Sequence, residues 1–222
     1  KHDARRFFLV DDLFGQFRGE TLRFCRMLAD YQEAIGVKLE ITVQIRLDRA
    51  RDAEILAAMR KAGIGTVCIG FESPIEDELK AMEKKLKPAE MVELARLYRK
   101  AGFHVHGMFI FGYPLPPGSG EFKMPVKERV RHFRRFIRQA GLDTVQILLP
   151  VPLPGTEMTE RLKRQNRLFP TDVVGWEYYD GNFPLFQPDP PATPQDLHTA
   201  GKQIMGRFYN FNYMFEVGFR TL

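Results

Sequence analysis

The chain has 222 residues, enough to bury a core as one large domain or as a domain with an appendage. Apolar residues make up 44% of it, yet no uninterrupted apolar run approaches the length of a membrane span. The net charge is +5, and the only two cysteines, Cys25 and Cys68, lie in apolar surroundings; this excludes a disulfide framework and fits buried thiols in a reducing cytoplasm. There is no signal peptide, and the opening Lys1 is not an initiator, so the sequence reads as a processed piece or a part of something longer.

Residues 7–12, FFLVDD, form a short apolar run ending in two acids. A helix follows over 21–35, with Leu22, Cys25, Leu28, Ala29 and Ile35 on one face and Gly36 as its stop. Residues 39–46 alternate strictly, Leu39, Ile41, Val43 and Ile45 against Glu40, Thr42, Gln44 and Arg46, which predicts a strand. A helix over 52–62 closes at Gly63, and the central strand GIGTVCIGFESP ends in Glu72 and Ser73. A connection carrying Met82, Lys84, Lys85 and Lys87 leads to Pro88, well placed at the first position of a helix over 89–101. The strand 103–112 ends in Tyr113-Pro114, and a Pro- and Gly-rich loop reaches a helix with Val126, Val130, Phe133, Ile137 and Ala140 as its apolar stripe. Its opposite face carries Lys127, Arg131, Arg134, Arg135 and Arg138. That face reads as solvated, with a nucleic-acid or partner patch as the alternative. A strand over 144–149 comes next, then a proline-rich crossing over 184–194. Thr193 and Pro194 open a last helix with Leu197, Ile204, Phe208, Phe211 and Phe215 on its apolar face, which packs against the barrel or docks a missing domain.

Four times a helix ends in glycine and an apolar residue starts a strand: Gly36-Val37, Gly63-Ile64, Gly102-Phe103 and Gly141-Leu142. Such a strand–helix repeat predicts a parallel sheet. In a doubly wound sheet both strand faces lie under helices and the strands read as near-continuous apolar runs. Here one face stays polar: Glu40 to Arg46, then Thr66, Cys68 and Glu72, then His104 and His106, then Thr144 and Gln146. That pattern predicts a barrel, or an arc of one, with a polar interior.

Side chains at the C-terminal ends of parallel strands face the place where ligands bind. Glu72 needs a partner at the end of an otherwise apolar strand, and Arg46, ending the preceding strand, is a plausible one. Asp11 and Asp12 are either a helix cap or ligand-binding groups. His104 and His106 share a strand face without a third ligand at a suitable spacing, so no metal site is expected of them. Gly118-Ser119-Gly120 lacks the Gly-Lys-Ser/Thr ending of a phosphate loop.

In order, FFLVDDLF, TVQIRLD, MRKAGIGTVCIGFESP with Met82 and Lys84, RKAGFHVHGMFIFGYP and VQILLPVPLPGTEM resemble the radical S-adenosylmethionine enzymes, most closely the branch carrying a cobalamin-binding domain. The likeness covers residues 7–158. It implies an α/β fold, a partial TIM-like barrel of which strands 2–6 are present and the first is missing. Residues 1–158 would be this barrel and 159–222 a C-terminal helical extension. The family cleaves S-adenosylmethionine with a 4Fe-4S cluster to a 5′-deoxyadenosyl radical that abstracts hydrogen from a substrate. By resemblance, Asp11 and Asp12 stand where the amino acid end of S-adenosylmethionine binds, and Glu72 and Ser73 where its ribose or methionine is met. Ile110, Phe111 and Gly112, with Leu149 and Pro150, lie on strands associated with the adenine. Gln44, Arg46, His104, His106 and Gln146 would line the cavity for a small-molecule substrate. The family's Cys-x-x-x-Cys-x-x-Cys motif has no counterpart here, so the cluster ligands, and any cobalamin domain, are expected upstream, and the chain alone is expected to be inert. Two other readings stay open, a cluster-free barrel using His106 and Glu72 as acid and base, and a degenerate barrel that binds a ligand or partner. The expected setting is the cytoplasm, away from membranes and nucleic acid, with an unpaired edge at residues 7–12 that invites dimerisation.

Overall fold

Five strands form one sheet, ordered β1-β2-β3-β4-β5 as in the chain, with helices in the intervals. The computed structural model describes residues 4–117, 124–210 and 215. Its elements are β1 (Arg6–Phe14), α1 (Arg18–Ile35), β2 (Glu40–Ile45), α2 (Ala53–Lys61), β3 (Ile64–Glu72), α3 (Glu76–Ala81) and α4 (Pro88–Lys100). They continue with β4 (His104–Ile110), α5 (Val126–Ala140), β5 (Thr144–Leu148), α6 (Glu157–Arg164) and α7 (Pro194–Phe208). β1 pairs with β2 and β2 with β3, both parallel. The chain divides into two compact units, one of Lys1–Phe71, Ala89–Met108 and Ile137–Thr144, the other of Glu72–Pro88, Phe109–Phe136 and Val145–Leu222.

In the first unit the alternation of β2 holds: Ile41, Val43 and Ile45 are buried, while Glu40 and Arg46 are exposed. Gly36, Gly63, Gly102 and Gly141 all take left-handed backbone, with φ of 65°, 81°, 87° and 65°, so one turn chemistry ends each helix before the next strand. At Gly63 a Cβ would sit 2.5 Å from the Leu39 carbonyl oxygen, so close approach adds to the backbone requirement. The buried face of α1 differs from the expected one. It runs through Thr21, Cys25, Ala29 and Gln32, and Ile35 is exposed. Gln32 takes the inward place because its amide donates to the carbonyls of Ala62 and Leu28 and accepts from the Leu39 N–H at 2.8 Å. A polar residue wins there by satisfying loop backbone that burial would otherwise orphan.

β1 is an edge strand whose residues are nearly all open: Phe7 is 44%, Phe8 53% and Val10 92% exposed. Its register against β2 breaks between Leu9 and Phe14, so the strand runs past the expected end at Asp12 through an irregular stretch.

In the second unit Val130, Phe133, Ile137 and Ala140 of the expected α5 stripe are buried, with Ile137 and Ala140 counted in the first unit; Arg131, Arg135 and Arg138 are exposed. Phe133 packs against Phe109 and Phe111 at ring separations of 5.8 and 5.1 Å. α7 opens on a capping box between Thr193 and Asp196 with Pro194 in its first turn, and buries Leu197, Ala200, Ile204 and Phe208. It ends at Phe208, short of the expected Phe215, which is exposed; Phe211 and Gly118-Ser119-Gly120 lie outside the described residues. Beyond its end, the Tyr209 hydroxyl donates to the Val145 carbonyl at 2.7 Å and accepts from the Val145 N–H at 2.9 Å. α3 and α6 went unpredicted, at six and eight residues too short for a helical period to show. No helix among the described residues is long and apolar enough to cross a membrane.

Candidate functional site

The strand ends of the second unit carry the densest chemistry. β3 finishes on Glu72, a non-glycine residue in left-handed backbone at φ 61°. Such a conformation costs a residue with a Cβ roughly 1–2 kcal/mol and, at a strand end, points to a functional demand. The Glu72 carboxylate pairs with the Lys84 ammonium at 2.9 Å, its side chain 19% and that of Lys84 46% exposed. Lys84 is delivered by the end of α3. Glu83 takes φ 56° and the Lys84 N–H returns to the Leu79 carbonyl at 2.8 Å, a helix-terminating turn that usually uses glycine. Arg46 is not the partner of Glu72: its guanidinium grips Asp48 two residues on, at 2.8 and 3.2 Å.

Ser73 turns inward. It is fully buried, donates its hydroxyl to the Glu78 carboxylate and accepts the Ile75 N–H at 3.1 Å. Glu78, also fully buried, is held by Arg129 of α5, which is 5% exposed. The Arg129 guanidinium lies over the Phe111 ring, 4.9 Å from its centre. Burial pushes the Glu78 carboxyl up from its ordinary range, while Arg129 and the Ser73 hydroxyl pull against that shift. One buried chain of contacts therefore runs from the turn after β3 to the end of β4.

The other expected residues fall into place strand by strand. Ile110 is half-buried, whereas the Phe111 and Leu149 side chains are buried, at 0% and 5% exposure, and Pro150 is buried with them. Their backbones are also engaged: the Phe111 N–H donates to the Leu148 carbonyl at 2.8 Å and the Leu149 N–H to the carbonyl of Gly181, in a turn, at 2.7 Å. Gly112 has φ 86°, and a Cβ there would meet Leu197 of α7 at 2.7 Å, so this glycine admits both the turn and the helix. Gln146 is exposed on β5.

In the first unit the Gln44 amide reaches the Asp12 carbonyl at 3.4 Å, which brings together one expected substrate residue and one expected cofactor residue. Asp11 caps no helix; its carboxylate accepts the Leu13 N–H at 3.2 Å within the irregular stretch of β1, and both aspartates are exposed. His106 Nδ1 lies 2.8 Å from the Thr144 hydroxyl. His104 opens β4, six residues before Ile110 and so about 20 Å from that strand's end at ~3.3 Å per residue. Among the described residues no group of three or more His, Cys, Asp or Glu could hold a metal ion.

No family model matches the chain. It is 31% identical over 167 residues to the hopanoid C-2 methylase of Rhodopseudomonas palustris, covering 74% of this chain and 30% of that protein. The anaerobic magnesium-protoporphyrin IX monomethyl ester cyclase of Cereibacter sphaeroides is 25% identical over 220 residues, 99% of this chain and 33% of the relative. Among solved structures, the radical S-adenosylmethionine methyltransferase TsrM of Kitasatospora setae superposes with a TM-score of 0.55 at 16% identity, over 72% of this chain and 31% of that one. Coproporphyrinogen III oxidase of Escherichia coli, a radical S-adenosylmethionine enzyme, superposes at 0.52 and 14% identity, over 84% and 37%. The structures share the fold, and the sequence relatives tie the chain to the same group. The chain belongs to the radical S-adenosylmethionine enzyme family. It spans about a third of the length of the curated relatives it matches.

For a radical S-adenosylmethionine fold, the residues that sequence reasoning passed over are Lys84, Glu78 and Arg129. Lys84 stood in the family likeness and in a basic run without a role of its own, and Arg129 was one of several arginines in its helix. A signal existed in Arg129's position, one residue before the stripe member Val130, but nothing in the linear pattern revealed a buried acid to receive it.

Proposed function

We propose that the chain is the greater part of the catalytic barrel of a radical S-adenosylmethionine enzyme, and that Glu72 with Lys84 meets the methionine end of the cofactor. One observation carries this: a carboxylate held in strained backbone at the end of the central strand, facing an ammonium. Together they complement the ammonium and carboxylate of an amino acid, each exchanging its present partner for one of opposite charge on the ligand. Bound S-adenosylmethionine supplies the radical that abstracts hydrogen. Within the second unit this chain's residues would bind and orient it, with the backbone around Ile110–Gly112 and Leu149-Pro150 on the adenine side; in the first unit Asp11 and Asp12 of β1 keep the role the likeness gives them. In the first unit Gln44, Arg46 and His106 are the polar groups this reading assigns to a polar substrate. Methyl transfer is the favoured reaction, since the hopanoid methylase and TsrM are both methyltransferases.

The cluster does not fit the residues present. Iron needs thiolates, and burial pushes the Cys25 thiol up to about 11 and raises Cys68 as well, one on α1 and one within β3. On this reading the cluster ligands and the first strand–helix unit would come from preceding sequence in a longer protein. Cobalamin, present in the TsrM structure, is the further cofactor this reading carries, and no residue of this chain is assigned to it. The uncovered side of β1 supports the missing unit, as do Phe17, Phe24, Met27 and Tyr31 beside and along α1, exposed at 67%, 41%, 62% and 57%.

The deciding experiment uses the gene product extended upstream of Lys1, purified anaerobically and reconstituted with iron and sulfide. With reductant and S-adenosylmethionine it is expected to release 5′-deoxyadenosine, dependent on an upstream three-cysteine motif; S-adenosylhomocysteine alongside would mark methyl transfer. An extended protein without that motif and without product sinks the reading. The 222-residue chain by itself is expected to self-associate through β1, doubling its mass in sedimentation equilibrium as concentration rises through tens of micromolar and slowing exchange of the β1 amides. A strict monomer at millimolar concentration would show that this edge is not an adhesive one.

A further inference from the structure

The segment after β5 forms an open cleft of about 510 Å³, within the range of sites that hold small molecules. One wall is Leu168 and Phe169, fixed by an antiparallel bridge from Leu168 to Phe186 and by the Phe169 N–H donating to the Leu185 carbonyl at 3.0 Å. Facing the same space is Trp176, its ring centre 4.6 Å from that of Tyr179. The turn that carries this pair is closed by the Tyr179 N–H on the Trp176 carbonyl at 3.0 Å, and the Pro170 carbonyl takes the N–H groups of Val173 and Val174. The walls are thus tied by backbone hydrogen bonds, and the pocket is largely pre-formed. Trp176 is nevertheless 59% exposed, a large aromatic surface left open at a cavity mouth.

The charge of the lining is one-sided. Among the described residues Lys163 is the only cation lining the cavity, and no carboxylate lines it. Lys163 does pair with Glu160 one turn earlier, at 2.9 Å, but both side chains are about half exposed, at 53% and 52%, and such pairs are worth little. Beside it Asn166 stands in left-handed backbone at φ 52° and lines the same cavity with its side-chain amide. An aromatic shelf, an apolar wall and one ammonium with a neighbouring amide define a ligand with a flat apolar body and an anionic group.

We propose that this cavity binds a planar, largely apolar molecule carrying an acidic group, its body against Trp176 and its acid on Lys163. The site stands apart from the cofactor reading and needs neither S-adenosylmethionine nor a cluster. Trp176 is the chain's only tryptophan, so the tryptophan emission originates at this cavity. The test titrates 8-anilino-1-naphthalenesulfonate into the 222-residue chain, with the uncharged N-phenyl-1-naphthylamine in parallel. Saturable one-site quenching of the tryptophan by both probes is expected, with the thermal melt still cooperative. Lys163→Gln is expected to weaken the sulfonate at least fivefold while leaving the neutral probe within twofold, and Trp176→Ala, read by probe fluorescence, to weaken both. Non-saturable quenching, or a Lys163→Gln variant that binds the sulfonate as well as the parent chain, would overturn the proposal. Because neither probe is the enzyme's cofactor, that failure would leave the Glu72 reading untouched.

Discussion

Replacing Glu72 with glycine is expected to leave the fold at least as stable as before and to weaken S-adenosylmethionine binding by the extended, reconstituted protein tenfold or more. The two effects have separate physical origins. Glycine removes a left-handed backbone cost of about 1–2 kcal/mol at φ 61°, while the lost pair with Lys84, nearly half exposed on the lysine side, returns no more than about 1 kcal/mol. A charge-assisted hydrogen bond to a ligand is worth about 1.5–3 kcal/mol, which is tenfold or more in affinity. Lys84→Met should lower affinity in the same range without touching backbone strain, since it removes the other half of the complement. Urea midpoints on the 222-residue chain and binding on the extended protein separate these terms. Should Glu72→Gly destabilise the chain and leave cofactor affinity intact, the Glu72–Lys84 pair is a structural bridge and no more.

Arg129→Ala is expected to cost the fold far more than any of the substitutions above, about 3–5 kcal/mol, because it leaves the Glu78 carboxyl buried without its counter-charge. The cost is also expected to depend on pH, with a definite sign. Burial already pushes the Glu78 carboxyl up, and removing Arg129 removes the main opposing charge, so its folded value rises further above the unfolded one. A group raised on folding contributes stability below its unfolded value and loses it as pH rises through the folded value. The variant should therefore lie closest to the parent at acidic pH and fall away from it toward neutrality. Glu78→Leu combined with Arg129→Met should recover much of the loss, since a buried pair exchanged whole for apolar groups of similar size is often close to neutral. Denaturant titrations at several pH values measure all of this. An Arg129→Ala midpoint no lower than that of the exposed Arg131→Ala would mean that the buried pair carries no net stability.

The same network explains why the turn after β3 is fixed. Ser73 spends its hydroxyl on Glu78 and the Ile75 N–H, which pins the chain immediately after Glu72 and lets the strained residue persist. Ser73 would then position its neighbour, while its own oxygen already has two partners.

Much of this architecture was written in local chemistry. Strict alternation in residues 40–45 and the helix–glycine–strand repeat depend only on period-two burial and on the ease with which glycine takes positive φ. Both survive without knowledge of what packs where. The expectation of a strand edge at β1 likewise followed from the likeness in order of strands. What the linear pattern left undecided were the pairings between residues distant in sequence. Glu72 takes Lys84 and not Arg46 because Glu83 turns the chain back at the end of a six-residue helix too short to show a period. Gln32 faces inward in place of Ile35 because two distant loops present unsatisfied backbone to it. Arg129 of the basic helix α5 is drawn into the interior because a buried acid from α3 waits there. In each case a polar group's burial is set by a partner that only the tertiary fold brings within hydrogen-bonding range, whereas an apolar residue needs only a side to face.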